Sequence, residues 1–268
     1  MTLTLLLAGC GKMGGALLEG WLATNAAARV VVVEPGTLGV ASGHERVLHC
    51  AGADALPSRL LPNVVVFAVK PQVLGNVVPD YRRFVGPDTV FLSIAAGKPI
   101  AWFEAQLASA AAVVRAMPNL PAAVGRGVTV ACANQAVTEA QRNRCEMLLR
   151  GVGDVAWIDD EALLDPVTAV SGSGPAYVFL LIEVLARAGI AAGLPEDLAM
   201  RLARATISGA GELTYRSIEP AAQLRKNVTS PGGTTQAALD VLMADNGLQP
   251  LFDRAVAAAT VRARELAG

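Results

Sequence analysis

The chain has 268 residues, 53% apolar, 17% charged and 4% aromatic, with a formal net charge of −1. That length can bury a sizeable core in one large domain or two modest ones, and near-neutral charge with few aromatics excludes a nucleic-acid surface, which needs basic stripes and stacking rings. The only histidines, His44 and His49, sit close together near the start, so neither a histidine-based triad nor a multi-histidine metal site can be assembled and no metal is expected.

In chain order, residues 3–8 form a continuous apolar run that reads as a buried strand, and it leads directly into Gly9-Cys10-Gly11-Lys12-Met13-Gly14. Helical spacing follows over 13–24. The first ten residues end in LAGC, a string like a bacterial lipid-attachment box centred on Cys10. It lacks a basic leading segment and its apolar run is short, so a cytoplasmic chain is expected. Residues 29–34 (RVVVVE) are β-branched and too short for a helix. Further strands are predicted at 63–69, 89–94, 113–117 and 127–133, with a last short one at 155–158, and helices near 73–84 and 100–108. Runs apolar on both faces and separated by helices are those of a parallel sheet covered on both sides, which gives a doubly wound α/β domain over residues 1–160.

From residue 161 the β-branched runs stop and alanine, leucine and helix starts take over, so residues 161–268 are predicted to be all helical. Pro175 and Pro195 open helices over 175–192 and 196–215, and two more span 235–243 and 248–266. Between Tyr177 and Ala192 the only charges are Glu183 and Arg187, four apart. A helix apolar nearly all round must be buried, and so few helices make too thin a shell, so a second copy of the domain is expected to complete its burial as a homodimer or larger assembly. No run reaches the roughly 20 uncharged apolar residues of a membrane span. The four cysteines, Cys10, Cys50, Cys132 and Cys145, form no CxxC pair and read as unpaired thiols.

The chemistry concentrates at strand ends. In the GxGxxG, Gly9 permits the tight turn, Gly11 lets backbone approach a pyrophosphate, and Gly14 lets helix and strand pack closely, while the helix start supplies N–H donors. Glu34, 20 residues past Gly14, ends the second strand where an acid bonds an adenosine ribose. A carboxylate there favours a free 2′-hydroxyl over a 2′-phosphate, and Pro35-Gly36-Thr37 brings no cation, so local chemistry leans toward NAD. At the same sheet edge lie Ala68, Val69, Lys70 and Pro71, then Ala95 and Ala96 beside Gly97, small enough for a flat ring to rest against backbone. Lys70 reads equally as an exposed strand-end lysine, and Asn119 as a ligand contact or a structural cap. Two hydroxyl-rich strings, residues 170–177 (VSGSGPAY) and 229–235 (TSPGGTT), open helices and read as carboxylate nests or as ordinary caps.

Taken together, GCGKMG, AVKPQ at 68–72, SIAAG at 93–97, RAMPN at 115–119, VSGSGPAY and above all NVTSPGGTTQAAL at 227–239 resemble the pyrroline-5-carboxylate reductases over essentially the whole chain. The resemblance implies an N-terminal Rossmann-like dinucleotide-binding domain and a C-terminal helical dimerisation domain. It implies reduction of 1-pyrroline-5-carboxylate to L-proline by NADP(H) or NAD(H), and homodimers that assemble into decamers of five dimers. Ala8, Cys10, Lys12 and Met13 join the cofactor set on this basis, as does Asn227, which the family places at the cofactor across the dimer. Val228, Ser230, Gly233 and Thr234 are the implied substrate contacts, with Thr235 at the reacting ring. A protonated imine needs only positioning and a hydrogen-bond donor, a role the Thr235 hydroxyl can fill. Where relatives carry an asparagine near the cofactor this chain has Ala55, and few carry an acid like Glu34. A 3-hydroxy-acid dehydrogenase would need a lysine in the central helices, and Lys12, Lys70, Lys98 and Lys226 all lie elsewhere. A non-catalytic dinucleotide sensor would need no second polar loop.

Overall fold

The computed structural model describes residues 3–267. Eight strands form one sheet: β1 (Thr4–Ala8), β2 (Arg29–Val33), β3 (Val47–Cys50), β4 (Val64–Phe67), β5 (Val90–Ser93), β6 (Ala112–Met117), β7 (Gly127–Ala133) and β8 (Gly153–Trp157). Their order is β3-β2-β1-β4-β5-β6-β7-β8, and β3 through β6 are all parallel. The first six strands thus follow the dinucleotide-binding order, with its switch point between β1 and β4.

The sheet departs from the all-parallel expectation at β7, which pairs antiparallel to β6. The connection over residues 118–126 is too short for a crossover helix, and only an antiparallel partner can be reached by so short a link. β8 then pairs parallel to β7, after the helix α4 described below.

Alternation along β1 sorts the core into two layers. Leu5 and Leu7 face Leu17, Leu18 and Trp21 of helix α1 (Lys12–Ala23), whereas Leu6 faces an aromatic layer of Phe67, Tyr81, Phe91 and Phe103. The predicted helix near 73–84 is instead a chain of short pieces: a 3-10 turn at Pro71–Val73, α2 (Leu74–Val77) and a 3-10 stretch at Val78–Phe84 with Pro79 near its start. Helix α3 (Ile100–Gln106) covers the same face. Helix α4 (Glu139–Arg150) begins in a capping box in which Thr138 accepts from Gln141 N–H and Gln141 reaches back to Thr138 N–H. Trp21 Nε1 donates to Leu148 O at 2.9 Å and ties α1 to α4.

The chain separates into two compact units, one taking in the sheet through Gly172 together with residues from Ala259 onward, the other Ser173–Ala258. A short helix α5 (Leu164–Val167) and a wide π turn at Thr168–Gly172 precede α6 (Gly174–Ala191), so the run is helical well before Pro175. By length and mean hydropathy, Glu161–Ala191 could cross a bilayer, and little of it is buried within the chain. Its uncharged stretch ends at Asp165 and Glu183, short of the roughly 20 residues that define a span.

In the second unit, α6 packs on α7 (Glu196–Arg216) through small residues: a Cβ on Gly189 would sit 3.4 Å from the Ala199 Cβ, and Ala186, Ala199 and Ala203 are buried. Helices α8 (Ala221–Asn227), α9 (Thr234–Leu242) and α10 (Leu248–Ala267) follow. Phe179, Leu180, Leu181, Val184 and Leu185 remain between 41% and 53% exposed, so the apolar face of α6 is uncovered within one chain.

Candidate active site

The turn from β1 into α1 is built on close approach. Gly9 has φ +92°, and a Cβ there would press on Val69 and the Ala68 backbone. A Cβ on Gly14 would collide with the Gly9 carbonyl oxygen, while one on Gly11 would project into open space, the position where backbone can meet a ligand. Gly11 caps α1 with no side-chain hydrogen bond, and no acid lies in the first turn. The N–H groups of that turn are therefore oriented for an anion.

Beside the turn lies a cavity of about 490 Å³, within the range of small-molecule sites. Ala8, Gly9, Gly11, Glu34, Ala68, Val69 and Lys70 line it, as the strand-end reading expects. Cys10 and Lys12 line a second recess of about 500 Å³ on the other side of the turn. Met13 packs against the core, and Pro71 begins the turn after β4. Ala95 and Ala96 follow the end of β5 outside the lining of either recess.

The Glu34 carboxylate accepts from Cys10 N–H at 2.8 Å and from Gly36 N–H at 3.1 Å. Burial raises the Cys10 thiol pKa, and the Glu34 and Glu19 charges add to it, which favours the neutral thiol over the thiolate. Asp80 and Tyr81 also line the cavity, and composition did not point to either. The Tyr81 hydroxyl is buried without a partner, and that burial, more than the neighbouring Asp80, drives its pKa up. An orphaned buried hydroxyl, open backbone at Gly11 and an unopposed helix start fit a dinucleotide. Among the described residues no cluster of histidine, cysteine and carboxylate could hold a metal.

The Asn119 side chain is a structural tie and caps no helix: its Nδ2 donates to Ser171 O at 3.1 Å and its Oδ1 accepts from Val128 N–H at 2.9 Å. The Ser171 hydroxyl donates to Val167 O at 3.0 Å, so this half of the VSGSGPAY string is bound up in the helix. The second string differs. Gly233 N–H donates to Ser230 O at 3.0 Å, closing a turn with Pro231 second and Gly232 third at φ +70°, the type II pattern. Gly233 then caps α9 with no side-chain hydrogen bond, leaving the first-turn N–H groups of Thr234 and Thr235 without an intrahelical acceptor. Val228 and Ser230 are exposed and Thr235 half-buried. Asn227 is held by Glu219, which accepts from its Nδ2 at 3.0 Å, and by Gln223, which donates to its Oδ1 at 2.8 Å.

A family model described as pyrroline-5-carboxylate reductase dimerisation matches residues 161–266, and one described as NADP oxidoreductase coenzyme F420-dependent matches residues 4–97. The pyrroline-5-carboxylate reductase of Pseudomonas aeruginosa is 39% identical over 97% of this chain and 95% of its own, and that of Mycobacterium leprae 37% over 96% and 95%. Among solved structures, the Coxiella burnetii enzyme superposes with a TM-score of 0.91 at 33% identity, covering both chains fully. The Plasmodium falciparum enzyme, solved with NADP bound, gives 0.82 at 29% identity over 99% of this chain and 98% of its own. With sequence similarity running through both the glycine turn and the helical unit, the chain belongs to the pyrroline-5-carboxylate reductase family.

Proposed function

We propose that the protein reduces the cyclic imine of 1-pyrroline-5-carboxylate to L-proline with NADPH or NADH, the last step of proline biosynthesis. The observation that carries this reading is the uncapped start of α9 behind the Ser230–Gly233 turn, in a chain whose other unit holds a cavity beside the glycine turn. The bound nicotinamide supplies the hydride.

The chain's own residues bind and orient. The N–H groups of Thr234 and Thr235 and the Ser230 hydroxyl receive the substrate carboxylate at the positive end of α9. Gly233 shapes this nest rather than donating to it, since its N–H closes the turn. Thr235 Oγ1 accepts from the N–H⁺ of the protonated ring nitrogen and can donate to that nitrogen once hydride addition gives it a lone pair, and Val228 packs on the ring. Because the imine nitrogen is already protonated, no strong base is required. The functional division falls at residue 160/161, with cofactor binding before it and substrate binding and self-association after it.

The working form is a homo-oligomer, supported by the exposed apolar face of α6 and the match of residues 161–266 to a dimerisation model. We assign it as a dimer assembling into a decamer of five dimers, in the cytoplasm, with no nucleic-acid or membrane partner. The four free cysteines accord with a reducing compartment. Purified protein given the imine should consume reduced dinucleotide and yield L-proline in equal amount. Cofactor binding without turnover would overturn the assignment.

A further inference from the structure

An acid at the end of β2 discriminates weakly if its side chain can rotate away from an incoming phosphate. Glu34 has no such freedom. Oε2 is held by Cys10 N–H at 2.8 Å, inside the glycine turn, and Oε1 by Gly36 N–H at 3.1 Å. The backbone is fixed as well: Glu34 N–H donates to Cys50 O at 3.0 Å, and the His49 ring donates from Nε2 to Glu34 O at 2.7 Å. Turning the carboxylate outward breaks two charge-assisted hydrogen bonds and frees the turn that faces the cofactor.

We propose that Glu34 is both the clasp of the glycine turn and the filter of the adenosine pocket, so that the protein binds NADH in preference to NADPH. The inference rests on the dinucleotide reading of the cavity. The fixed carboxylate keeps lone pairs for ribose hydroxyls and meets a 2′-phosphate with like charge. Asp80 adds a second carboxylate to the lining, and Lys70 is its one cation among the described residues. No guanidinium is among the residues that line the cavity. Arg46 donates to Leu22 O at 2.9 Å and Ala27 O at 3.4 Å, and Arg83 donates to Ala53 O at 3.5 Å while lying over the Phe84 ring. The lining thus holds no bidentate phosphate clamp of the kind a 2′-phosphate site uses.

A clasp that is also a filter cannot be removed without cost to the turn. Glu34→Ser should therefore weaken NADH binding as well as relax selectivity, and should lower the melting temperature of the nucleotide-free protein. Glu34→Gln keeps one acceptor for the two N–H groups and removes the charge.

The test is equilibrium binding of NADH and NADPH to the intact protein by fluorescence, repeated with 5′-AMP and adenosine 2′,5′-bisphosphate to isolate the 2′-phosphate. The wild type should bind NADH at least about tenfold more tightly than NADPH, as a like-charge contact demands. The adenosine pair should show the same order, and Glu34→Gln should bring the NADH/NADPH ratio close to unity. Equal or tighter binding of NADPH by the wild type, a ratio unchanged in Glu34→Gln, or binding of neither dinucleotide overturns the proposal. Proline formation measured on the same preparations separates the two readings. Turnover with an NADPH preference defeats only the filter, and an NADH preference without turnover defeats only the reductase assignment.

Discussion

At the level of single residues, Gly9 and Gly14 of the β1–α1 turn do what only a residue without Cβ can do, whereas a Cβ on Gly11 would meet nothing within the chain. Gly14→Ala should drive a methyl group into the Gly9 carbonyl, destabilising the fold by about 1–3 kcal/mol and weakening dinucleotide binding; a melting curve and a titration indistinguishable from wild type would refute the close-packing role. Thr235→Ala should lower kcat by roughly 10² if the hydroxyl hydrogen-bonds the reacting nitrogen, with Thr235→Ser recovering most of it. Equal kcat in all three proteins would remove Thr235 from the chemistry. Asp80 and Tyr81 escaped notice because they sit in the 3-10 stretch Val78–Phe84, whose three-residue period matches neither the strand nor the α-helix template. The two bonds that hold the Glu34 carboxylate were equally illegible, since one of them joins backbone and side chain 24 positions apart.

Cys145 carries a pH dependence of its own. Burial pushes its thiol from 9.0 up to about 12, the weaker pull of Arg144 notwithstanding. A raised acid pKa means that the folded state favours the neutral thiol, so the contribution is complete below pH 9 and is lost as pH rises toward 12. Unfolding midpoints should fall over that alkaline range, and Cys145→Ala should flatten the fall; identical slopes would show that other groups set it.

Among the elements, one charged joint is the Glu161 carboxylate, whose Oε1 accepts from Ile100 N–H at the start of α3 at 2.9 Å and from Arg115 Nη1 on β6 at 2.8 Å. Removing it by Glu161→Ala strands a guanidinium that is only 8% exposed. The cost should be about 3 kcal/mol, the low end for a buried pair because Glu161 itself is partly open to water. A urea midpoint equal to wild type would contradict this. Element prediction succeeded where apolar runs were long, as in β1, β2 and β6, and failed where length or polarity hid the pattern. β3 is four residues, VLHC, with a histidine in it. Helix α4 is polar in composition, yet its start was signalled by Thr138 followed three residues later by Gln141. The direction of β7 depends on the length of a connection, which strand propensity does not encode.

For the molecule as a whole, the low charge and high apolar content first served only to exclude functions, and the structure shows where those residues go. The sheet buries its share in two layers, while the helical unit leaves Phe179, Leu181 and Leu185 partly bare. A contiguous apolar face of this kind marks an interface, so Leu181→Glu should convert the oligomer to smaller species in sedimentation velocity or aggregate it. A wild type that sediments as a monomer at micromolar concentration would contradict the assembly. The poverty in histidine accords with the proposed chemistry: a substrate that brings its own proton and is held by backbone N–H groups and hydroxyls would require little else.

The central claim is direct hydride transfer to the imine carbon, and isotope tracing tests it without ambiguity. Reduced dinucleotide carrying deuterium at the transferring position of the nicotinamide, incubated with the protein and 1-pyrroline-5-carboxylate, should give L-proline with one deuterium at the former imine carbon. Proline without label, or labelled dinucleotide left intact while the imine persists, would contradict the account.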